Sequence, residues 1–412
     1  MLRPKSEYSK NILTLMTGTT IAQAIPIALS PIFTRIYSPE DFGLLAFYIA
    51  ISSIISTVVS GRYELSIILP QKNEDAFQIT CLCLAITIAS TIFVSISLIV
   101  FKPQIVILLN NQEINKWLYL IPLSILLIGI HRTLSFWYNR VKMYKLIAKN
   151  RILLSAGTGF SQLGLGSLSH QGGLIWGTLF GQLLPLIQLG YNFISNDLKL
   201  YSLNYLKIIA LSKRYSKFPK FDVPTALANI TASQAPNILL AALFSPSAAG
   251  FFYLTQRVLQ APITLISSSV LDVFKQRASE DYKKHGNAKD IFKKTFLALF
   301  FMALPTSIIL FFWVEDIFVL IFGEDWSEAG EYARILIPAL FLRFITNPLS
   351  FMIYIAEKQG INLVGMLLLL TGMLVIFFIV NDAHTAITAI SVLYCIVYGM
   401  YLTLSAKIAF NA

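Results

Sequence analysis

Residues 77–101 read FQITCLCLAITIASTIFVSISLIVF, a stretch without a single charged side chain. A helix of that length rises about 38 Å, which is enough to cross the ~30 Å hydrocarbon layer of a bilayer. Comparable stretches fill the chain, which is 56% hydrophobic and only 13% charged over 412 residues, about half the charged fraction of soluble domains. They lack the short alternating pattern of a membrane β-barrel. The sequence therefore predicts an all-α, polytopic membrane protein.

The recurrence of apolar segments of roughly 20 residues predicts about twelve transmembrane helices. The predicted spans cover residues 11–36, 42–63, 77–101, 117–138, 147–168, 172–194, 219–243, 249–274, 292–313, 333–355, 360–380 and 385–407. Three cysteines, Cys81, Cys83 and Cys395, lie inside these spans. Cysteines in apolar helices without a neighbouring histidine are packing residues more often than metal ligands, so we expect neither a metal site nor a resident cofactor.

Lysine and arginine are unequally distributed between the two sides of the predicted membrane. If the N-terminus lies inside the cell, almost all basic residues outside the spans fall on the inner side, and the exceptions are Arg35, Lys102, Lys116 and Arg334. The positive-inside rule then predicts that both termini are cytoplasmic. The net charge of +11 largely reflects this orientation signal, so we do not expect nucleic-acid binding.

Two short motifs recur about half a chain apart. Residues 38–43, SPEDFG, lie at the start of the second predicted span, and residues 245–250, SPSAAG, lie at the start of the eighth. In each copy the serine can cap a helix and the proline fits the first helical position, and Asp41 stands where a capping box has its acid. A second pair, residues 120–122 (LIP) in span four and 336–338 (LIP) in span ten, keeps the offset of six spans.

This offset predicts two pseudo-symmetric six-helix bundles, as in transporters whose halves are parallel repeats with substrate bound between them. We expect an N-terminal bundle in residues 1–194, a basic cytoplasmic linker in residues 195–218 and a C-terminal bundle in residues 219–412. Apolar residues at 203–211 predict a short amphipathic segment of the linker at the membrane surface.

Apart from the arginines assigned to the inner or outer side at the ends of spans, four arginines lie within the predicted spans: Arg62, Arg132, Arg257 and Arg343. An arginine near the bilayer centre costs roughly 2.5 to 3.5 kcal/mol on insertion scales, so it usually faces a water-filled cavity or a charged partner. Arg257 and Arg343 lie ~10 Å and ~15 Å below the outer starts of their helices, too deep for easy snorkelling. They predict a cavity that binds an anion, with structural ion pairing as the alternative.

The other two arginines are less clearly placed by the helical pattern. Arg62 lies near the inner boundary, where it either borders the cavity or snorkels, and an extended helix would point it away from the face that carries Glu64. Arg132 faces either the cavity edge or a neighbouring helix.

Uncharged polar residues share helical faces with these arginines. Asn347 follows Arg343 at i+4 in span ten, Gln260 follows Arg257 at i+3 in span eight, and Asn229 belongs to a polar face of span seven. Such residues either line a substrate path or join helices by hydrogen bonds. We therefore count Gln260, Asn347 and Asn229 with the four arginines as candidate substrate-binding residues.

Three further ionisable residues lie in or beside the spans. Glu64 and Asp222 lie near the cytoplasmic ends of spans two and seven, where acids either balance arginine charge or take part in coupling to Na⁺ or H⁺. Charge balance is the simpler interpretation. His131 is either a hydrogen-bonded packing residue or a proton carrier.

Two regions resemble a family of bacterial polysaccharide transporters. The first contains residues 37–43 (YSPEDFG) and 62–70 (RYELSIILP), and the second contains residues 322–332 (FGEDWSEAGEY), 334–338 (RILIP) and 343–350 (RFITNPLS). On these motifs, and on the number of spans, the chain is similar to the Wzx-type O-antigen and polysaccharide repeat-unit flippases. That family lies within the multidrug, oligosaccharidyl-lipid and polysaccharide (MOP) exporter superfamily.

The resemblance, rather than the composition, implies a substrate and a mechanism. It implies a flippase of the bacterial inner membrane that moves an undecaprenyl-pyrophosphate-linked oligosaccharide, an O-antigen or similar unit of lipopolysaccharide or polysaccharide biosynthesis, to the periplasmic leaflet. It also implies two bundles around a cationic cavity that opens alternately to either side. Membrane lipids, a polysaccharide polymerase and chain-length machinery are the partners to expect.

Two other classes remain as alternatives. An ion-coupled drug exporter of the same superfamily would favour a cationic substrate and buried acids, of which the first span has none. A membrane polysaccharide polymerase would carry a large outer loop with catalytic arginine or histidine, whereas the outer loops here are short and the largest is acidic. We therefore expect a transporter and not an enzyme.

Overall fold

The computed structural model describes residues 7–109, 113–168, 172–358 and 360–410, and these residues contain helices and no β-strand. The all-α prediction is thereby confirmed. Each predicted span coincides with one long helix of this described part. The long helices are α1 (Glu7–Ile36), α2 (Pro39–Val58), α3 (Asn73–Leu109), α4 (Ile121–Arg140), α5 (Tyr144–Ser167), α6 (Gly173–Asn192), α7 (Val223–Leu243), α8 (Pro246–His285), α9 (Lys289–Phe322), α10 (Ser327–Leu349), α11 (Gly360–Ile379) and α12 (Ala383–Phe410).

Ten of these long helices are both long and apolar enough to cross a membrane, within the described ranges. The chain is a multi-pass membrane protein. The two exceptions, α5 and α7, have sufficient length but more polar sequences, because α5 carries Lys145, Lys149 and Arg151 and α7 is rich in Thr, Asn, Ser and Gln. Residues 1–6 and 411–412 lie outside the described residues, so the cytoplasmic location of the termini stays a prediction.

Shorter helical segments connect the long helices. They are Tyr63–Ile68, Glu113–Lys116, Leu118–Leu120, Phe193–Asp197, Leu198–Leu200, Tyr205–Arg214, Phe218–Asp222, Glu324–Trp326 and Met352–Ile355. Tyr205–Arg214 is the amphipathic segment that the sequence predicted. Asn204 caps it by accepting a hydrogen bond from the Lys207 N–H at 3.1 Å, Leu211 is buried, and Leu206 is 77% exposed.

Contacts divide the described chain into two compact units. The first unit comprises the residues up to Tyr37 together with Leu44–Gln234, and the second comprises Ser38–Gly43 together with the residues from Ala235 onward. The core of the first unit is built around Phe77 and Trp137, and that of the second around Phe292 and Phe344. Residues 195–218 thus belong to the first unit by contacts, and their role as a linker between two bundles stays a prediction.

The repeated motifs form the helix starts that their residues predict. In the first copy, Asp41 N–H donates to Ser38 Oγ at 3.3 Å and Ser38 N–H donates to Asp41 Oδ2 at 3.1 Å, which is a capping box. In the second copy, Ser245 Oγ accepts from Ala248 N–H at 3.0 Å. Both predicted caps are confirmed.

The two motif copies also pack against each other inside the second unit. A Cβ added to Gly43 would lie 1.8 Å from the carbonyl oxygen of Pro246, and one added to Gly250 would lie 1.9 Å from that of Pro39. Ser247 Oγ donates a hydrogen bond to Glu40. Only glycine fits at either position. The repeated motif therefore corresponds to a reciprocal contact between the starts of α2 and α8.

The second pair of motifs matches less closely in structure. Pro122 lies in the first turn of α4, after the irregular turns Glu113–Lys116 and Leu118–Leu120, whereas Pro338 lies in the interior of α10. The fourth and tenth spans therefore differ in where the α-helix begins relative to the LIP motif.

Candidate functional site

Arg62 lies in the first unit between two carboxylates. Its Nε donates to Asp222 Oδ2 at 2.7 Å, and its nearer terminal nitrogen is 3.6 Å from Glu64 Oε1. Glu64 is fully buried and accepts a hydrogen bond from Ser60 on its other oxygen, whereas the Asp222 side chain is 38% exposed. The three residues form one ionic cluster in which two acids balance one arginine.

The expected direction of Arg62 is wrong, because the helical projection does not extend to that residue. α2 ends at Val58, and Gly61 and Arg62 both adopt left-handed backbone conformations, with φ of 64° and 62°. A non-glycine residue in this region is uncommon and carries strain. The turn directs Arg62 towards Glu64 instead of away from it, and it places Arg62 outside the regular helical span.

Three hydrogen bonds from two side chains, which the sequence did not predict, hold the segment that follows Arg62 in place. Tyr63 Oη donates to the carbonyl of Ser212 at 3.0 Å, which joins the Tyr63–Ile68 segment to Tyr205–Arg214. Arg140, at the end of α4, donates to the carbonyls of Ile68 at 2.6 Å and Gln71 at 3.0 Å. In sequence Arg140 is indistinguishable from the orientation charges around it.

A cavity of about 420 Å³ in the first unit is lined by both His131 and Arg132. Arg132 donates from a terminal nitrogen to the carbonyl of Ser56 at 2.9 Å, which joins α4 to α2. His131 Nε2 lies 2.6 Å from Asn150 Oδ1, and Asn150 Nδ2 donates to the carbonyl of Pro185 at 2.8 Å. His131 is therefore a hydrogen-bonded residue joining α4, α5 and α6 through Asn150.

Arg343 lines a small pocket of about 30 Å³ in the second unit. Gln256 and Gln260 of α8 and the stacked rings of Tyr394 and Tyr398 of α12 line the same pocket. The structure thus brings together two of the predicted residues, Arg343 and Gln260, and adds Gln256, Tyr394 and Tyr398, which were not among the candidate substrate-binding residues.

No carboxylate balances Arg343 within the described residues, among which it forms neither an ion pair nor a hydrogen bond. Arg343 is half-buried, as is Arg257 on α8. A guanidinium has five N–H donors, so Arg343, which has no anionic partner among the described residues, is a ready binding group for an anion.

The other polar candidates do not join this pocket. Asn347 and Asn229 are exposed on α10 and α7. Thr346, three residues after Arg343 on the same face of α10, is buried and donates to the carbonyl of Tyr398 at 3.3 Å. On this face Thr346 therefore joins α10 to α12, whereas Asn347 is exposed.

The described residues contain no group of three or more His, Cys, Asp and Glu that could hold a metal ion.

The fold is similar to that of solved transporters of the MOP superfamily. The lipid II flippase MurJ in an inward closed conformation matches with a TM-score of 0.75 at 16% identity, over 96% of this chain and 87% of that one. A MATE family multidrug resistance transporter in an inward-facing conformation matches with a TM-score of 0.65 at 12% identity, over 96% of each chain. The MATE multidrug transporter DinF-BH gives a TM-score of 0.65 at 13% identity over the whole of both chains.

The sequence itself assigns the family. The family model of polysaccharide biosynthesis proteins matches residues 32–331, and the chain belongs to that family. This finding confirms the resemblance carried by the motifs of both halves. No curated protein sequence matches the chain.

Proposed function

We propose that this protein is a flippase that moves an undecaprenyl-pyrophosphate-linked oligosaccharide, an O-antigen or similar polysaccharide unit, from the cytoplasmic to the periplasmic leaflet. Its membrane is the bacterial inner membrane, with both termini cytoplasmic. The half-buried Arg343, which has no anionic partner among the described residues, carries the proposal. Such a group inside a membrane span is costly unless it binds an anion during the working cycle.

The pyrophosphate is the anion that suits this arginine. Guanidinium groups bind phosphate oxygens with two parallel hydrogen bonds, and Arg257 supplies a second half-buried guanidinium on α8. Gln260, Asn347 and Asn229 offer hydrogen bonds to sugar hydroxyls. Arg62 and Arg132 contribute further positive charge, and the polyprenyl tail stays in the lipid.

The cycle follows alternating access, in which the two halves of a transporter rock around a substrate site. Binding of the pyrophosphate neutralises the arginines and lowers the cost of holding them in the membrane. Glu64, Asp222 and His131 are the residues through which a Na⁺ or H⁺ gradient would act, and charge balance of Arg62 is the role that the ion pairs of the two acids support. The protein translocates its substrate without chemical change, so it is not an enzyme.

The family and one structural relative agree with this substrate class. Members of the family are polysaccharide biosynthesis proteins, and MurJ is a lipid II flippase. A polysaccharide polymerase and chain-length machinery are the protein partners that this role would require.

The second candidate is an ion-coupled drug exporter, which the likeness to MATE transporters and the buried Glu64 favour. A cationic drug needs an acid that is available to it, whereas Glu64 lies beside Arg62. The flippase proposal therefore has the stronger support.

Reconstitution distinguishes the two candidates. The purified protein in liposomes is given a fluorescent undecaprenyl-pyrophosphate oligosaccharide, and the label that becomes accessible at the opposite leaflet is measured with Na⁺, H⁺ or no gradient. The proposal requires protein-dependent movement of the lipid-linked sugar. Transport of a cationic dye without movement of the sugar lipid would select the drug exporter.

A further inference from the structure

The cavity lined by His131 and Arg132 has a polar, positively charged lining, and the hydrogen bonds that join its helices do not explain this charge. Its polar lining comes from His131, Arg132, Ser135 and Asn139 of α4 and from Asn150 and Arg151 of α5. His131, Ser135 and Asn139 follow i, i+4 and i+8 spacing and so share one helical face, and Arg132 is the next residue after His131. None of the residues that line the cavity within the described chain is acidic.

Both arginines of this cavity are held by neutral groups. A terminal nitrogen of Arg132 donates to the carbonyl of Ser56, and one of Arg151 donates to the hydroxyl of Thr19. Neither arginine has a carboxylate within ion-pair distance in the described part of the chain. Glu64 is close enough to attract Arg132 but lies beside Arg62. The arginines are thus positioned while most of their donors stay available.

The remaining polar groups form a fixed frame around these charges. Asn150 uses its amide nitrogen on the carbonyl of Pro185, so its oxygen is the acceptor and His131 Nε2 carries a proton. Ser135 Oγ donates to the carbonyl of His131. Beside this frame, Arg132 and Arg151 present two positive charges and their remaining N–H donors, which is the chemistry that phosphate oxygens require.

Size distinguishes this cavity from the pocket at Arg343. About 420 Å³ gives room for on the order of ten or more water molecules, whereas about 30 Å³ gives room for one or two. A diphosphate fits the first volume, whereas the pocket at Arg343 must widen during the transport cycle before it can admit one. In this structure the cavity lined by Arg132 and Arg151 is therefore the better size match of the two for the headgroup.

The cavity also lies towards the cytoplasmic side of the membrane, from which the proposed lipid-linked substrate would be taken up. It is lined by the second half of α4, which ends at Arg140, and by the first turns of α5. The basic residues between these helices place this end in the cytoplasm by the positive-inside rule.

We propose that the cavity between α4 and α5 is a phosphate-binding site of the first unit, and that its occupant is the diphosphate of the lipid-linked substrate in the cytoplasmic leaflet. This inference rests on the proposed function for the identity of the substrate. It assigns Arg151, Asn150 and Ser135 to a binding site in addition to Arg132.

Binding of inorganic pyrophosphate to the purified full-length protein in neutral-lipid nanodiscs tests the site by calorimetry. Arg151→Gln should weaken this binding on the order of ten- to a hundred-fold, because one charge-assisted contact is removed. Arg151→Lys should recover part of the loss, since it keeps the charge without the fork geometry. Arg334→Gln is the matched control, because Arg334 pairs with Glu315 at 3.0 Å outside this cavity. Equal affinities of Arg151→Gln and wild type would overturn the proposal.

Protection of a cysteine at position 135 locates the ligand and tests its source. In a background without Cys81, Cys83 and Cys395, Ser135→Cys should react more slowly with a thiol reagent when pyrophosphate is added, in vesicles of neutral lipid. If phosphatidylglycerol vesicles protect this cysteine and added pyrophosphate does not change its reaction rate, the site binds a surrounding lipid. That result would overturn the substrate assignment. Pyrophosphate binding without flipping by the wild-type protein would instead reject the proposed function and leave the phosphate site intact.

Discussion

Gly43 and Gly250 each lie against the carbonyl oxygen of the proline that begins the other's helix, at positions where an added Cβ would come within 2 Å of that oxygen. The residues occupy the same place in the two copies of the Ser-Pro motif. The two copies of the motif thus form a reciprocal backbone contact between α2 and α8, and a hydrogen bond from Ser247 to Glu40 adds to this contact.

The first prediction concerns this contact. Gly250→Ala should lower the free energy of unfolding by about 1 to 3 kcal/mol, because the backbone must move to admit the methyl group. Gly399→Ala is the matched control in α12, where no atom lies within 4 Å of an added Cβ, and it should stabilise its helix by roughly 0.5 to 1 kcal/mol. Denaturant unfolding of both purified variants measures the difference. Equal effects would show that the contact does not restrict residue size.

The second prediction concerns Arg343. Arg343→Ala should reduce flipping of the lipid-linked oligosaccharide by on the order of ten- to a hundred-fold, because one charge-assisted contact to the diphosphate is lost. Arg343→Lys should give an intermediate rate, since lysine keeps the charge but not the bidentate geometry. Arg334→Gln, on the same helix and paired with Glu315, should retain the wild-type rate. The rate in reconstituted liposomes is the measurement, and normal flipping by Arg343→Ala would contradict the binding role.

The third prediction concerns the ion pair of Arg62 with Asp222. Asp222→Arg alone should destabilise the first unit, because it places two cations together, and the exchange Arg62→Asp with Asp222→Arg should recover much of the loss. Aspartate tolerates the left-handed backbone at position 62 better than most residues do. Both side chains are partly exposed, so the coupling energy should be only about 0.2 to 1 kcal/mol. Thermal unfolding of the single and double variants gives this energy, and a double variant no more stable than Asp222→Arg would argue against the pair.

The fourth prediction concerns Asn150, the buried amide that joins α4, α5 and α6. Asn150→Ala should cost about 1 to 3 kcal/mol of stability, because it leaves His131 and the carbonyl of Pro185 without their partner. Asn229→Ala removes the same group from an exposed position and should change stability by roughly 0.5 kcal/mol or less. Unfolding of the two variants under identical conditions makes the comparison. Similar losses would mean that the buried network contributes little.

The spans and helix caps could be predicted because they depend on local sequence. Uncharged stretches such as residues 77–101 need a helix in lipid, and Ser38 with Asp41 specifies a cap from residues three apart. The path of Arg62 could not be predicted in this way. It depends on where α2 ends and on the left-handed backbone of Gly61 and Arg62, and the partner of Arg62, Asp222, is far away in sequence.

The residues of the candidate site also fall into those that local sequence could predict and those that depend on contacts between distant segments. Arg343 and Gln260 were selected by helical periodicity and do line one pocket, because periodicity reports which residues share a face. Asn150 and Arg151 were missed, since two polar residues in a basic segment look like part of an orientation signal. Only the packing of α4 against α5 gives them a cavity to line.

The forty residues of α8 form one helix from the Ser245 cap to Gly286, which is about 60 Å long and roughly twice the thickness of the hydrocarbon layer. Its only interior proline, Pro262, lies about 35 Å from the distal tip, so a bend of about ten degrees there would swing that tip by about 6 Å. Pulsed distance spectroscopy between a spin label at the exposed Lys284 and a second one at the exposed Lys407 of α12 would therefore register a small flexure within the bilayer as a displacement of this tip.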